Sequence, residues 1–168
     1  MLVATGFTVE ARHTYLVCLP DTLKTPPTPG GFGLSEPATE IQRAALVSAQ
    51  NNAFGGEPVP SEADVARLRR LQTAGGVAVM AVTDNGTCAG GGQAVPPNDA
   101  VSEVAGIAVR TPYRRQGLAS AITAGITRRL FATGAEIAWL EASGEDSWRV
   151  YERVGYRPAG QRLYIAVN

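Results

Sequence analysis

The sequence predicts an α/β domain with a mixed sheet and helices on its faces. Three observations favour this class. Two segments open with capping signals and continue with apolar residues at helical spacing. An Asn-Gly pair separates two β-rich segments. A later segment repeats an apolar residue every four positions between two further strand-like segments. The predicted order is α-α-β-β-β-α-β-α-β after an extended N-terminal segment.

The first 38 residues form a distinct region. Residues 7–19 have the pattern of an extended strand that ends at Pro20. Residues 20–38 contain five prolines and three glycines, and proline removes a backbone donor and fixes φ, so we expect a loop or linker. We therefore divide the chain into an N-terminal β segment with a Pro/Gly-rich linker, 1–36, and one domain, 37–168.

Two helices are predicted after the linker. The first follows the capping residue Thr39 and runs to about Phe54. The second follows Ser61 and ends at the glycine pair 75–76. The residues expected to face the core recur at helical spacing: Ile41, Ala45 and Ala49 in the first helix, and Val65, Leu68 and Leu71 in the second.

A hairpin and a third strand follow. Val77–Val82 is β-rich, and Asn85-Gly86 provides the turn because both central residues of a tight hairpin need a positive φ. The return strand is expected over about 87–95. The third strand, Glu103–Val109, contains Gly106, which predicts a bulge or the close approach of a ligand to the backbone.

The C-terminal third alternates helix and strand. A helix is predicted from Gly117 to about Thr133, then a strand over 136–142, a short helix over 146–153 and a last strand over 162–167. The apolar stripe of the long helix is Leu118, Ile122, Ile126 and Leu130.

Composition excludes several classes of protein. The 168 residues carry 15 basic and 15 acidic side chains, whereas a general nucleic-acid binder is usually basic. No apolar run is long enough to cross a membrane, and no secretory signal is visible, so a cytoplasmic protein is expected. The one histidine, His13, argues against a zinc site, and we expect no metal. Cys18 and Cys88 are expected to be free thiols.

The segment after the third strand predicts an anion site. A strand leads into a loop, and the loop opens a helix whose first-turn N–H groups and dipole favour negative charge. Gly117 and Ala119 leave room for the backbone to approach a pyrophosphate. A Walker A loop is excluded because Gly-Lys-Ser/Thr is missing. An ordinary helix start remains the alternative on this fragment alone.

Two motifs together resemble the GNAT superfamily of N-acetyltransferases. Arg114–Ala119 matches its Gln/Arg-x-x-Gly-x-Gly/Ala signature, and Val150–Tyr156 is similar to its x-Tyr-Glu-Arg/Lys-x-Gly-Phe/Tyr element. The motifs stand in the family's order, and the resemblance covers about residues 37–168. It implies a mixed, mainly antiparallel sheet, splayed at its centre and flanked by helices, and transfer of an acetyl group from acetyl-CoA to a primary amine.

The resemblance also implies a cofactor site. The backbone of Ile107 and Val109 would pair with the pantetheine, the N–H of Val109 would polarise the thioester carbonyl, and the amides of 115–120 would bind the pyrophosphate. The full set of expected contacts is Ile107, Ala108, Val109, Arg114, Arg115, Gln116, Gly117, Leu118, Ala119 and Ser120.

The catalytic pair implied by the resemblance is Tyr151 and Glu103. Tyr151 occupies the position of the phenol that protonates the departing sulfur, with a merely packed tyrosine as the alternative. Glu103 occupies the position of a general base used in some branches, whereas other relatives relay the proton through water. A period of two places Glu103 on the face of Val109, unless a bulge at Gly106 changes the count. Gly144 departs from the family's usual asparagine.

The acceptor is expected to be a small-molecule amine bound beside residues 39–75, with no nucleic acid or membrane partner and with a homodimer possible. The alternative function is a catalytically silent CoA-binding or regulatory module of the same fold. The Gly6-Phe7 segment also resembles the one at Gly155-Tyr156, since a tyrosine follows each glycine by nine residues. The N-terminal segment therefore resembles the end of a second, GNAT-like half, and chance similarity is the alternative.

Overall fold

The computed structural model describes residues 6–167. They form one seven-stranded sheet with four helices packed on it. In chain order the elements are β1 (Phe7–Cys18), β2 (Phe32–Ser35), α1 (Glu40–Phe54), α2 (Glu62–Thr73), β3 (Val77–Thr83), β4 (Cys88–Ala94), β5 (Val101–Val109), α3 (Leu118–Ala132), β6 (Ile137–Ala142), α4 (Glu145–Glu152) and β7 (Arg157–Val167).

The sheet separates at its centre, as expected from the resemblance. Its strand order is β2-β3-β4-β5-β6-β1-β7, and every neighbouring pair is antiparallel except β5 and β6. These two strands are in register only from Val101–Ile137 to Glu103–Trp139. Beyond that point the described residues of β5 and β6 form no further pair, so the sheet opens into a gap. The mixed, mainly antiparallel, splayed sheet is confirmed.

The N-terminal strand lies inside the sheet. β1 pairs with β6 on one side and with β7 on the other, and its residues Leu16 and Cys18 are fully buried in the core. The two segments that resemble each other in sequence are therefore adjacent antiparallel strands. Residues 7–18 belong to the same sheet as the rest of the domain.

Three sequence predictions are corrected. The expected linker contains β2, which pairs with β3 and packs Phe32 and Leu34 on the core; two alternating apolar residues among prolines are too short a pattern to detect. The last strand begins at Arg157, five residues before the expected start. Ile41 is 83% exposed, because α1 contacts the sheet through the stripe that contains Leu46, Val47 and Ala49.

The core lies between the sheet and α3. The expected stripe of α3 is confirmed, since Leu118, Ile122, Ile126 and Leu130 are all buried. The buried Tyr156 hydroxyl lies 2.7 Å from the hydroxyl oxygen of Thr127, which satisfies its polar group inside the core. Cys18 and Cys88 are buried free thiols, as expected.

Two further features of the described residues bear on function. No helix within 6–167 is long and apolar enough to span a membrane. In the same range, no three or more His, Cys, Asp and Glu side chains are grouped so that they could hold a metal ion.

The predicted bulge is present at Gly106. Gly91 and Gln93 of β4, two positions apart, face Ala108 and Ala105 of β5, three positions apart. The extra residue is accommodated at Gly106, which has a φ of +65°. Its carbonyl accepts a hydrogen bond from the side-chain Nε2 of Gln50 on α1 at 2.9 Å. The bulge is therefore fastened to α1.

The bulge reverses the alternation of side chains along β5. Val104 and Val109 are five positions apart, yet both belong to the core cluster under α3. Glu103, next to Val104, consequently points to the opposite face. The expectation that Glu103 and Val109 share a face is wrong, for the reason that a bulge intervenes.

We expect Gly106→Ala to destabilise the protein by about 1–3 kcal/mol, because the residue needs a positive φ. A Cβ at this position would also lie 2.6 Å from Nε2 of Gln50. Urea denaturation measures the change. Gly33→Ala is the matched control, since a Cβ at Gly33 meets nothing within 4 Å and its φ is not positive. Equal stability of the two variants would contradict the structural role of the bulge.

Candidate active site

The loop between β5 and α3 forms a cradle of backbone N–H groups. Gly117 caps α3 with a φ of +87° and no side-chain hydrogen bond, and Arg115 also has a positive φ of 61°. Within the described chain, no acceptor is recorded for the N–H groups of residues 118–120. A Cβ at Gly117 would meet nothing within 4 Å. Free donors, the positive end of the helix dipole and open space together suit an anion.

A cavity of about 370 Å³ lies against this cradle. Its walls include most of the cofactor contacts predicted from sequence, namely Val109, Arg114, Arg115, Gly117, Leu118, Ala119 and Ser120. Tyr113, Val150 and Arg153 complete the lining. Three arginines therefore border a cavity whose floor is helix backbone, which is an electropositive environment.

Tyr113, Val150 and Arg153 line this cavity but were not predicted from the sequence as site residues. Val150 and Arg153 belong to the second family motif. They come to lie beside the first motif because α4 packs on α3, which is a tertiary contact that the sequence does not show. One contact of that packing is the Ser120 hydroxyl, which donates to the Val150 carbonyl at 3.3 Å. Among the predicted contacts, Ile107, Ala108 and Gln116 do not line this cavity.

The cavity and the gap between β5 and β6 share Val109, which ends β5 and lines the cavity. The N–H of Arg110 donates to the Ala89 carbonyl on β4 at 2.9 Å. Because backbone groups alternate in direction along a strand, those of Val109 and Ile107 point away from β4, towards the gap. The Val109 carbonyl already accepts a hydrogen bond from Nε of Arg114 at 2.9 Å. The N–H of Val109 and the backbone of Ile107 remain available to a ligand.

Tyr151 lies on α4, which begins three residues after β6 ends. Its ring packs against the core cluster under α3 and meets Tyr156 edge-on, with ring centroids 6.4 Å apart. Burial raises the pKa of Tyr151. None of the described residues forms a hydrogen bond with its hydroxyl. The phenol is therefore protonated at neutral pH and has a free donor.

Glu103 lies on the other face of the sheet, half-buried beside the start of the gap. Burial raises the pKa of Glu103 above the ordinary value, the nearby Glu141 carboxylate raises it further, and Arg162 opposes them. Within residues 6–167 its carboxylate has no ion pair or hydrogen bond. A partly desolvated carboxylate with a raised pKa has the properties of a proton acceptor.

The two candidate catalytic side chains approach the gap from opposite faces of the sheet. Tyr151 packs on the α3 side, whereas Glu103 points to the side of α1. Ser143 and Ser147, the possible substitutes for the missing asparagine at Gly144, have no recorded hydrogen bond in the described chain. An acyl group in the gap would have one candidate on each side.

The chain belongs to the GNAT acetyltransferase family. The model of the acetyltransferase (GNAT) family matches residues 43–156, which is more than half of the chain and includes both motifs. The fold and the helix-start cradle agree with this assignment. No curated protein matches the sequence.

Three solved structures of the same fold each have a longer chain than this one. A GCN5-related N-acetyltransferase from Kribbella flavida aligns with a TM-score of 0.79 and 28% identity, over 99% of this chain and 62% of that one. A second GCN5-related N-acetyltransferase, from Sphaerobacter thermophilus, aligns with a TM-score of 0.78 and 18% identity, over 98% of this chain and 53% of that one. A tandem GNAT protein of the clavulanic acid biosynthesis pathway aligns with a TM-score of 0.73 and 15% identity, over 98% of this chain and 56% of that one. The chain thus spans less than two thirds of each.

Proposed function

We propose that the protein is an N-acetyltransferase that transfers an acetyl group from acetyl-CoA to a primary amine by direct attack. The observation that carries the proposal is the free N–H cradle at the start of α3, opening beside a gap in the sheet. An anion site alone would suit many phosphorylated ligands. The adjoining gap adds a slot in which an extended chain can pair with strand backbone.

The residues present fit acetyl-CoA. The N–H groups of 115–120 would hold the pyrophosphate, with Arg114, Arg115 and Arg153 adding positive charge. The pantetheine would pair with the backbone beside the gap, at Ile107, because Arg114 already occupies the Val109 carbonyl. The Val109 N–H would then be the group that polarises the thioester carbonyl.

In the proposed step, the amine nitrogen bonds to the acyl carbon while the carbon–sulfur bond breaks. Glu103 accepts a proton from the amine, directly or through water, and Tyr151 gives its phenolic proton to the departing sulfur. Their placement on opposite faces suits this division, because the entering nitrogen and the departing sulfur are different substituents of the tetrahedral acyl carbon and each would have its own proton-transfer group. Solvent restores both groups afterwards.

The same fold could instead bind CoA without catalysis. The observation that favours the enzyme is the pair of unpartnered groups beside the gap, the Tyr151 phenol and the Glu103 carboxylate, both with pKa values raised by burial. A binding module has no need of either ionisation. Variants of these two residues therefore separate the functions.

Gly117→Asp should weaken binding of CoA by more than tenfold, or about 1.4 kcal/mol. The new carboxylate would repel the pyrophosphate and block the approach to the backbone. Isothermal titration calorimetry measures the affinity. Gly134→Asp is the matched control, since Gly134 follows α3, also has a positive φ, and a Cβ there meets nothing within 4 Å. Equal affinities in the two folded variants would remove CoA from this loop.

Tyr151→Phe should lower kcat by about 10²–10⁴-fold and leave CoA affinity nearly unchanged. The phenyl ring preserves the packing, and only the proton donor is lost. Steady-state kinetics with detection of released thiol measures the effect. Tyr156→Phe is the control, because it removes the buried contact with Thr127 and should reduce stability rather than kcat. A normal kcat in Tyr151→Phe would assign protonation of the sulfur to another group.

Glu103→Gln should abolish a rise of kcat/KM with pH. The base acts when deprotonated, and its raised pKa places that rise above the ordinary glutamate value of 4.5. Glutamine cannot ionise, so only the acceptor's own titration remains. The measurement is a pH–rate profile of both proteins, with the exposed Glu136→Gln as control. Superimposable profiles of wild type and Glu103→Gln would leave water as the proton acceptor.

A further inference from the structure

A groove of about 400 Å³ lies on the open face of the sheet. It is lined by Tyr15, Val17, Val101, Ile137, Trp139, Gln161 and Arg162. These residues belong to β1, β5, β6 and β7. Helices α1 and α2 pack over β3, β4 and β5, so this part of the face has no helix over it. The walls are mainly apolar and aromatic side chains, and the volume suits a small molecule.

The N-terminal strand supplies part of this groove. Tyr15 and Val17 come from β1, which lies outside the residues matched by the family model. Val17 is the register partner of Trp139 on β6. The groove is therefore incomplete without β1, which, like the β7 residues Gln161 and Arg162, lies outside the family match.

Arg162, the charged residue that lines the groove, is paired with Glu141 beside it. Glu141 accepts hydrogen bonds from Tyr164, from Arg162 and, at 3.2 Å, from His13. Burial acts to raise the pKa of Glu141, but these hydrogen bonds outweigh it and the pKa is lowered. The guanidinium of Arg162 is also 5.9 Å from the centre of the Trp139 ring. Arg162 is thus held between a carboxylate and an aromatic face.

One carboxylate at the groove's edge has no partner among the described residues. Glu103 is the register partner of Trp139 and lies two residues from Val101 on the same strand face. It is also the last residue of β5 to pair with β6, so it stands where the groove meets the gap. An apolar groove that ends in an unpaired carboxylate complements a cation with an apolar body.

We infer that this groove, rather than the surface of residues 39–75 expected from the sequence, holds the acceptor, and that the acceptor is a primary amine with an uncharged aromatic or branched apolar body. The inference rests on the proposed function. The body would lie against Trp139, Ile137 and Val17, and the ammonium would reach Glu103 at the entrance to the gap. An acceptor with a carboxylate is disfavoured, because Glu103 and Glu141 would repel it and Arg162 is already paired.

The test compares 2-phenylethylamine, ethylamine and phenylalanine as acceptors. Wild type should show a KM for 2-phenylethylamine at least tenfold below that for the other two. Trp139→Leu should raise that KM at least tenfold and raise the KM for ethylamine, which has almost no apolar body to bind, by a clearly smaller factor. Val17→Thr, a smaller change to the same wall, should also raise the KM for 2-phenylethylamine. Leu163→Thr alters an exposed residue of β7 that does not line the groove and is the control.

Direct binding separates failure of this inference from failure of the proposed function. If no amine releases thiol from acetyl-CoA, the proposed function fails. Calorimetry of 2-phenylethylamine with the CoA-loaded protein still tests the groove. An affinity unchanged in both Trp139→Leu and Val17→Thr would overturn the inference. So would a preference for phenylalanine, or variants that alter the sedimentation of the protein but not amine binding, since the groove would then be a contact between copies.

Discussion

The separation of β5 from β6 is the constraint on which the rest of the site depends. The two parallel strands pair over three residues and then diverge. Where the strands diverge, the N–H and C=O groups of β5 that face the gap have no partner on β6. Buried backbone groups need a hydrogen-bond partner, so a ligand or water would have to supply one. The bulge at Gly106 lies in this unpaired stretch, held by Gln50. The gap is therefore an interruption of the hydrogen-bond ladder, and the hydrogen bond from Gln50 of α1 holds the bulge beside it.

The bulge also distributes the functional groups between the two faces of the sheet. Beyond it, β5 turns Ile107 and Val109 towards α3, near the cradle at Gly117. Before it, Glu103 points to the open face and the aromatic groove. A regular strand would put Glu103 and Val109 on one face, with donor cradle and carboxylate on the same side. Because of the one extra residue in β5, the N–H cradle and Glu103 lie on opposite faces of the sheet. A ligand would contact both of them only through the gap.

Local sequence signals predicted most of the fold and the position of the candidate anion site. Capping boxes, the Asn-Gly turn and the four-residue repeat of α3 act between near neighbours in the chain, so they are visible without tertiary contacts. β2 has too few residues to show a period, and the exposure of Ile41 depends on where α1 crosses the sheet. The glycine in β5 predicted a bulge, but only the β4 register shows that it reverses the strand's faces.

The part of the site that sequence could not predict is the part with the longest chain separation. β1 reaches the groove by inserting between β6 and β7, more than a hundred residues later in the chain. No local pattern encodes that insertion, and the family match begins after it. The inserted strand brings its outward side chains, here Tyr15 and Val17, to the part of the sheet face that α1 and α2 do not cover. In our proposal the two motifs supply the chemistry, while β1, outside them, shapes the acceptor groove.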